Sequence, residues 1–319
     1  MSLLTVDGLS VSIGGVTAVD NVDFAMNRGE WLGLVGESGA GKSITALAIL
    51  GLLPDGAHAT GSVRFEDQEI LNLEEKRLAQ YRGVRMATIF QDPMTALNPV
   101  MRVGDQVAEM ITLHRRGSRR EASREAVRLL ERVGLPEPAA KARSYPHQLS
   151  GGQRQRAMIA AAMACSPSLL IADEPTTALD VTVQAEILRL MKDLVIEEGS
   201  SLLLITHDIP VISVMCKEVL VMYGGRIVEH GSARAVFAHP RHPYTAGLLK
   251  SQPNPPGRQS EASRLPVIKG VVPPLGEFPS GCGFRDRCDR AQERCQQDPP
   301  LTSEPWRYRC WFPLTAGRI

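Results

Sequence analysis

Gly36-Glu-Ser-Gly-Ala-Gly41-Lys42-Ser43 constrains this chain more than any other stretch, because of what flanks it. The apolar run Trp31-Leu-Gly-Leu-Val35 precedes it and reads as a buried strand, and Ser43 to Leu50 follows as a helix. Strand, glycine-rich turn and helix in that order aim backbone N–H groups and the positive end of a helix dipole at one point. Phosphate oxygens fit that point. Gly36, Ser38, Gly39 and Gly41 are therefore expected to cradle the phosphates of a nucleotide. Lys42 is expected to reach the β- and γ-phosphates, and the Ser43 hydroxyl to ligate Mg2+.

At 319 residues and 43% hydrophobic, the chain has material for two or three subdomains. Lys and Arg number 36 against 35 Asp and Glu, a net charge of +1 that argues against a general nucleic-acid binder. The longest apolar runs fall short of a bilayer span. The first residues, Met1-Ser-Leu-Leu-Thr-Val-Asp7, lack a basic stretch leading into an apolar one, so the expectation is a soluble, cytosolic chain. Six cysteines in that compartment do not suggest a disulfide framework. Cys165 and Cys216 stand alone and read as structural thiols.

The patterning is that of an α/β chain. Leu3–Ser12 and Val16–Met26 alternate like strands of an antiparallel sheet, and residues 61–66 and 86–90 are shorter strand candidates. From Asp92 to Cys165 the period turns helical, with Val107, Met110 and Ile111 on one face and Ala126, Leu129, Leu130 and Val133 on another. Ser168–Glu174 returns to a buried strand. Ile187, Leu190, Met191 and Leu194 then mark a helix, Ser201–Thr206 another buried strand, and Gly224-Gly225 the turn of a hairpin.

Two carboxylates end the strand before residue 175. Asp173 stands where a magnesium ion beside the phosphates needs an acidic partner, and Glu174 where the attacking water needs a base. His207 ends the next buried strand and is expected to contact the γ-phosphate. Gln91, after the strand Thr88-Ile-Phe90, is expected to touch magnesium or the water and to report occupancy to the helical block.

With these residues in place, the chain resembles the nucleotide-binding subunits of ABC transporters. Leu149-Ser150-Gly151-Gly152-Gln153 matches that family's signature, Gln91 its Q-loop, Ala178-Leu-Asp180 its D-loop and His207 its switch histidine. The resemblance covers residues 3 to about 240. It implies an ABC-type P-loop NTPase fold with an antiparallel β subdomain, an inserted helical subdomain and a small cysteine-containing C-terminal extension. The core spans 1–90 and 166–240, the helical subdomain 91–165 and the extension 241–319. It also implies a head-to-tail dimer with ATP between one subunit's phosphate loop and the signature of a second, identical or homologous ATPase subunit. Ser150 and the N–H groups of Gly151 and Gly152 open a helix there as a second anion site, with Gln153 beside them. The adenine-stacking aromatic of many relatives is replaced by Ile13, which lacks about 0.5–1.5 kcal/mol of ring stacking.

The tail narrows the resemblance. His239-Pro-Arg-His-Pro-Tyr-Thr245 and the segment Gln91-Asp-Pro-Met-Thr-Ala-Leu-Asn-Pro99 resemble ATPases of the oligopeptide, dipeptide and nickel importers. Such a chain would sit peripherally on the cytoplasmic face of the inner membrane, with two transmembrane permease subunits and, indirectly, an extracytoplasmic binding protein, and no nucleic acid. Nickel or another small solute is the alternative cargo, and a non-transport ABC ATPase the alternative class. Cys282, Cys288, Cys295 and Cys310 cluster in the tail. Their residue type suits tetrahedral zinc or an iron-sulfur cluster, and neither has its usual spacing here. Resemblance to the dipeptide-importer branch favours a 4Fe-4S cluster stapling a proline-rich tail with little core of its own, with zinc and ordinary thiols as the other readings. The basic run Arg115-Arg116-Gly-Ser-Arg119-Arg120 reads as a solvated loop, with contact to lipid or a membrane subunit as the other reading.

Overall fold

The strands run, in chain order, β1 (Ser2–Ile13), β2 (Val16–Asn27), β3 (Trp31–Val35), β4 (Ala57–Phe65), β5 (Gln68–Glu69), β6 (Met86–Ile89), β7 (Leu169–Asp173), β8 (Ser201–Thr206), β9 (Glu218–Tyr223), β10 (Arg226–Ser232), β11 (Leu301–Thr302) and β12 (Arg307–Arg309). This computed structural model describes residues 2–114, 118–177, 179–252, 266–304 and 306–315. Ala178 of the expected D-loop, Arg115 and Arg116 of the basic run, and the linker through Pro256 lie outside the described residues. The chain forms two compact units, one from Met1–Met26, Trp31–Asn72 and Leu204–Ile319, the other from Asn27–Glu30 and Leu73–Leu203.

The first unit contains the expected antiparallel layer, in the order β2-β1-β4-β5, with Leu4 opposite Phe65 and Val11 opposite Ala59. A second run of strands follows the order β11-β12-β10-β9-β3. β3 and β9 are parallel, Leu32 opposite Glu218 and Val35 opposite Val221, whereas β9 and β10 are antiparallel around Gly224-Gly225. Leu32, Leu34, Val35, Leu220, Val221 and Met222 are fully buried, which is why β3 and β9 read as unbroken apolar runs rather than alternating ones. The helix Ile209–Met215 presses on β3 so closely that a Cβ on Gly33 would fall 2.6 Å from the Ile212 side chain.

The C-terminal segment has more core than the sequence leads one to expect. β12 extends the sheet beside β10, with Glu229 opposite Tyr308. Tyr223, Tyr244, Phe278 and Phe284 form an aromatic cluster, with ring centroids 4.7 Å apart for Tyr223–Tyr244 and 5.2 Å for Tyr223–Phe284. The latter pair meets edge to face, the arrangement the ring quadrupoles favour. Four rings scattered over some sixty residues leave no periodic signal, so only the tertiary fold reveals them as one core. His242 is buried among them, and its ring is pushed down to about 3 by that burial. As a neutral acceptor, its Nδ1 takes the Tyr244 N–H at 3.0 Å and caps the helix Pro243–Lys250. Buried Glu229 accepts from the Arg241 and His242 N–H groups and from Trp306 Nε1, at 2.7 to 2.9 Å, while burial raises its carboxyl above the usual range.

In the second unit β6 and β7 are parallel, Met86 opposite Leu169 and Ile89 opposite Ala172. Helices Val103–His114, Arg119–Arg132, Gly151–Met163 and Val181–Glu198 occupy the stretches whose period is helical. Val107, Ile111, Ala126, Leu129, Leu130, Val133, Ile187, Met191 and Leu194 are buried, whereas Met110 and Leu190 lie half-exposed at the margins of their faces. Ser118 and Glu121 close a reciprocal cap on the helix Arg119–Arg132, and Arg132 at its end bonds Glu197 and Glu198 at 2.8 and 2.7 Å. Cys165 is half-buried with its sulfur 3.6 Å from the Met110 carbonyl, and Cys216 is buried, its thiol pushed up to about 12. Burial thus disfavours a reactive thiolate at Cys216. Among the described residues no helix is long and apolar enough to cross a membrane.

Candidate active site

In the first unit the glycine-rich loop joins β3 to the helix Lys42–Leu50. A Cβ on Gly36 would sit 2.3 Å from the Met222 carbonyl, and Gly41 adopts φ 102° at the helix start, so neither position tolerates a side chain. Ser38 and Gly39 are exposed at the tip. Lys42 is buried and folds back over the loop, its Nζ donating to the carbonyls of Gly36 at 2.9 Å and Glu37 at 3.0 Å. Thr45 secures the first turn by donating its hydroxyl to the Gly41 carbonyl. The loop thus holds its lysine ammonium against its own backbone carbonyls, between β3 and the helix start. His207, in the same unit, is exposed immediately after β8, and Ile13 is half-buried at the end of β1, opposite Ala57.

The second unit carries the carboxylates. Asp173 ends β7, and Glu174 follows with φ 46°, a left-handed backbone that a non-glycine residue adopts only under local strain. That kink turns the Glu174 carboxylate toward Gln91, whose Nε2 donates to Oε2 at 3.3 Å, and toward Thr177, whose hydroxyl donates to the same oxygen at 2.9 Å. Gln91 and Glu174 are therefore brought together across 83 residues of sequence. Thr177 was not visible as a site residue, because a threonine three positions past a carboxylate carries no motif of its own.

The segment Leu149–Gln153 starts the helix Gly151–Met163 with Leu149 buried and Ser150 exposed as its N-cap. Ser150 Oγ accepts the Gln153 N–H at 3.3 Å and Gln153 Oε1 accepts the Ser150 N–H at 3.1 Å. Gly152 lies against the next long helix, where a Cβ would fall 2.9 Å from the Val183 side chain. Asp180 caps that helix, accepting from the Val183 N–H at 3.0 Å. Gly151 and Gly152 thus form the first turn of their helix, while the side chains of Ser150, Gln153 and Asp180 are engaged in caps.

Cys282, Cys288, Cys295 and Cys310 line one small apolar cavity together with Phe284, Trp311 and Phe312. The Cys282 N–H donates to the Cys295 carbonyl at 3.0 Å. Burial first, and then the charges of Cys295 and Cys288, push the Cys282 thiol up to about 11, and burial raises Cys310 to about 12 and lifts Cys288 as well. Four cysteine sulfurs lining one cavity are a donor set of the kind a thiophilic cation takes. Yet among the described residues no three His, Cys, Asp or Glu side chains are placed to hold a metal ion, so the expected centre is not assembled in this conformation. The Ser43 hydroxyl in the first unit and, separately, the Asp173 carboxylate and Gln91 amide oxygens in the second are hard donors of the kind magnesium takes.

Comparison with known proteins decides the family. Residues 19–177 match the ABC transporter family, and residues 228–295 match the oligopeptide/dipeptide transporter C-terminal region. The oligopeptide transport ATP-binding protein OppD of Salmonella typhimurium is 49% identical over 315 residues, 97% of this chain and 93% of the relative. This chain belongs to the ATP-binding subunits of ABC transporters. The dipeptide transport ATP-binding protein DppD of Escherichia coli is 44% identical over 327 residues, covering 100% of this chain and 99% of that one. The dimeric post-hydrolysis structure of the ATP-binding cassette MJ0796 bound to ADP and Pi superimposes with a TM-score of 0.65 at 28% identity. It covers 72% of this chain and 99% of the cassette. The ABC subunit is thus an ATP-binding ATPase of the cassette fold.

Proposed function

We propose that this ABC subunit is the motor of an importer for di- and oligopeptides, working on the cytoplasmic face of the inner membrane with a second ATPase subunit, two permease subunits and an external binding protein. The match of its C-terminal segment to the oligopeptide/dipeptide transporter region supports this cargo, since the cassette alone is shared by carriers of unrelated solutes. Gly36, Ser38, Gly39, Gly41 and Lys42 hold the phosphates, while Ser43, Asp173 and Gln91 serve magnesium. Glu174 takes the proton of the attacking water, and His207 contacts the γ-phosphate. Ser150, Gly151, Gly152 and Gln153, with Asp180, act on the nucleotide of the second subunit, and Ile13 covers the adenine. Cells carrying Lys42→Ala in place of the wild-type chain are expected to lose uptake of labelled dipeptide or longer peptide while nickel uptake is unchanged. Loss of nickel uptake alone would reassign the cargo.

Cys282, Cys288, Cys295 and Cys310 are the ligands of a 4Fe-4S cluster in this reading, drawn in around it from the cavity they line. The cluster would supply cross-links to a proline-rich segment. Zinc is the second reading, since four thiolates suit it equally well. Iron and sulfide analysis of anaerobically prepared protein should find about four of each per chain, as a 4Fe-4S cluster requires, and Cys295→Ser should abolish both. Zinc without sulfide would overturn the cluster.

A further inference from the structure

Arg287 stands one residue before Cys288 in the tail, yet its guanidinium engages the glycine-rich loop. Nη1 lies 2.7 Å from Glu37 Oε2 and Nη2 lies 2.9 Å from Glu37 Oε1, a fork-to-fork pair between residues 250 apart in sequence. The Nε group donates to the Lys269 carbonyl at 2.9 Å, and the ring centroids of Tyr223 and Phe284 lie 5.7 and 5.8 Å from the guanidinium carbon. Arg287 is 8% exposed. Glu37 in turn is held at three points. Its carboxylate meets Arg287, its N–H donates to the Tyr244 hydroxyl at 2.7 Å, and its carbonyl accepts from Lys42 at 3.0 Å.

Glu37 is the second residue of the loop, between Gly36 and Ser38. A carboxylate on a loop that takes a triphosphate repels it unless a cation cancels its charge. Arg287 supplies that cation. Its planar fork, wedged against two rings, also fixes the direction of the Glu37 side chain, and hence of the backbone whose carbonyls hold Lys42. The tail thereby becomes part of the nucleotide site without reaching the reacting atoms.

We propose that Arg287 is a positioning residue for ATP binding, which neutralises and orients Glu37 so that the loop meets the triphosphate preformed. This rests on the reading of residues 36–43 as the phosphate loop, and the experiment separates the two. ATP affinity of the full chain is measured by displacement of a fluorescent ATP analogue in wild type, Arg287→Ala, Arg287→Lys, Arg287→Ala/Glu37→Gln and Lys42→Ala. Arg287→Ala is expected to weaken ATP about tenfold, and adding Glu37→Gln to restore affinity to within about threefold of wild type, because the unpaired carboxylate is then gone. The deficit should shrink as salt is raised. Arg287→Lys keeps the charge but not the fork and should lose about threefold, which carries the test should the alanine variant not fold. Wild-type affinity in Arg287→Ala or, failing that variant, in Arg287→Lys overturns the proposal, as does a double variant as weak as Arg287→Ala. Lys42→Ala binding ATP like wild type refutes the phosphate-loop reading itself. A weak Lys42→Ala beside an unaffected Arg287→Ala refutes the role of Arg287 alone.

Discussion

Glu174→Gln is expected to lower the steady-state ATPase rate by about a hundred- to ten-thousand-fold while ATP still binds, the range associated with loss of a general base. The substitution keeps the volume of the side chain and an oxygen that can accept from Thr177 and Gln91, so the kinked backbone at φ 46° has the same hydrogen-bonding partners. What disappears is the capacity to take a proton from water. Binding energy from the phosphate loop is untouched by this change, so ATP should accumulate unhydrolysed and hold the ATPase subunits together. Turnover measured beside the oligomeric state in ATP checks both halves of the expectation. Residual turnover above about a tenth of wild type would remove Glu174 from the base role, since general-base loss costs far more than that.

Phe284→Ala should lower the unfolding free energy of the first unit by about 3–5 kcal/mol, the usual cost of emptying a fully packed aromatic site. Phe284 is 4% exposed and meets Tyr223, Tyr244 and His242 with ring centroids 5.2 to 5.9 Å away, and Arg287 lies over its face. Against a total stability of about 5–15 kcal/mol for a typical domain, this is a large fraction. The loss should fall on the C-terminal segment first, because that segment's other contacts are short strands and turns. Denaturant unfolding, with limited proteolysis to locate the opening, measures the effect. A loss below about 1 kcal/mol would mean that the rings do not hold the tail in place, since cavity-forming changes in a packed core exceed that.

Much of the site was legible because its chemistry is local. A strand, six loop residues and a helix make the phosphate loop from consecutive positions, and a strand end delivers Asp173 and Glu174 together. Helix faces such as Ala126, Leu129 and Leu130 were likewise written in a 3.6-residue period that burial then honours. The signature was legible as a motif, though not that Ser150 and Gln153 bond each other as a helix cap.

The sequence alone determined the α/β class, the phosphate loop, the paired carboxylates, the helical insertion and the family. Each depends on neighbours in the chain or on a short periodic pattern, and such patterns survive in one dimension. The tertiary structure decided what distant residues share. It joined Tyr223, Tyr244, Phe278 and Phe284 into one core, brought Gln91 to Glu174, and set Arg287 on Glu37. Those contacts span gaps of tens to hundreds of residues, where burial and charge pairing are satisfied by whichever segments the sheets and helices bring together, so spacing along the chain carries no trace of them.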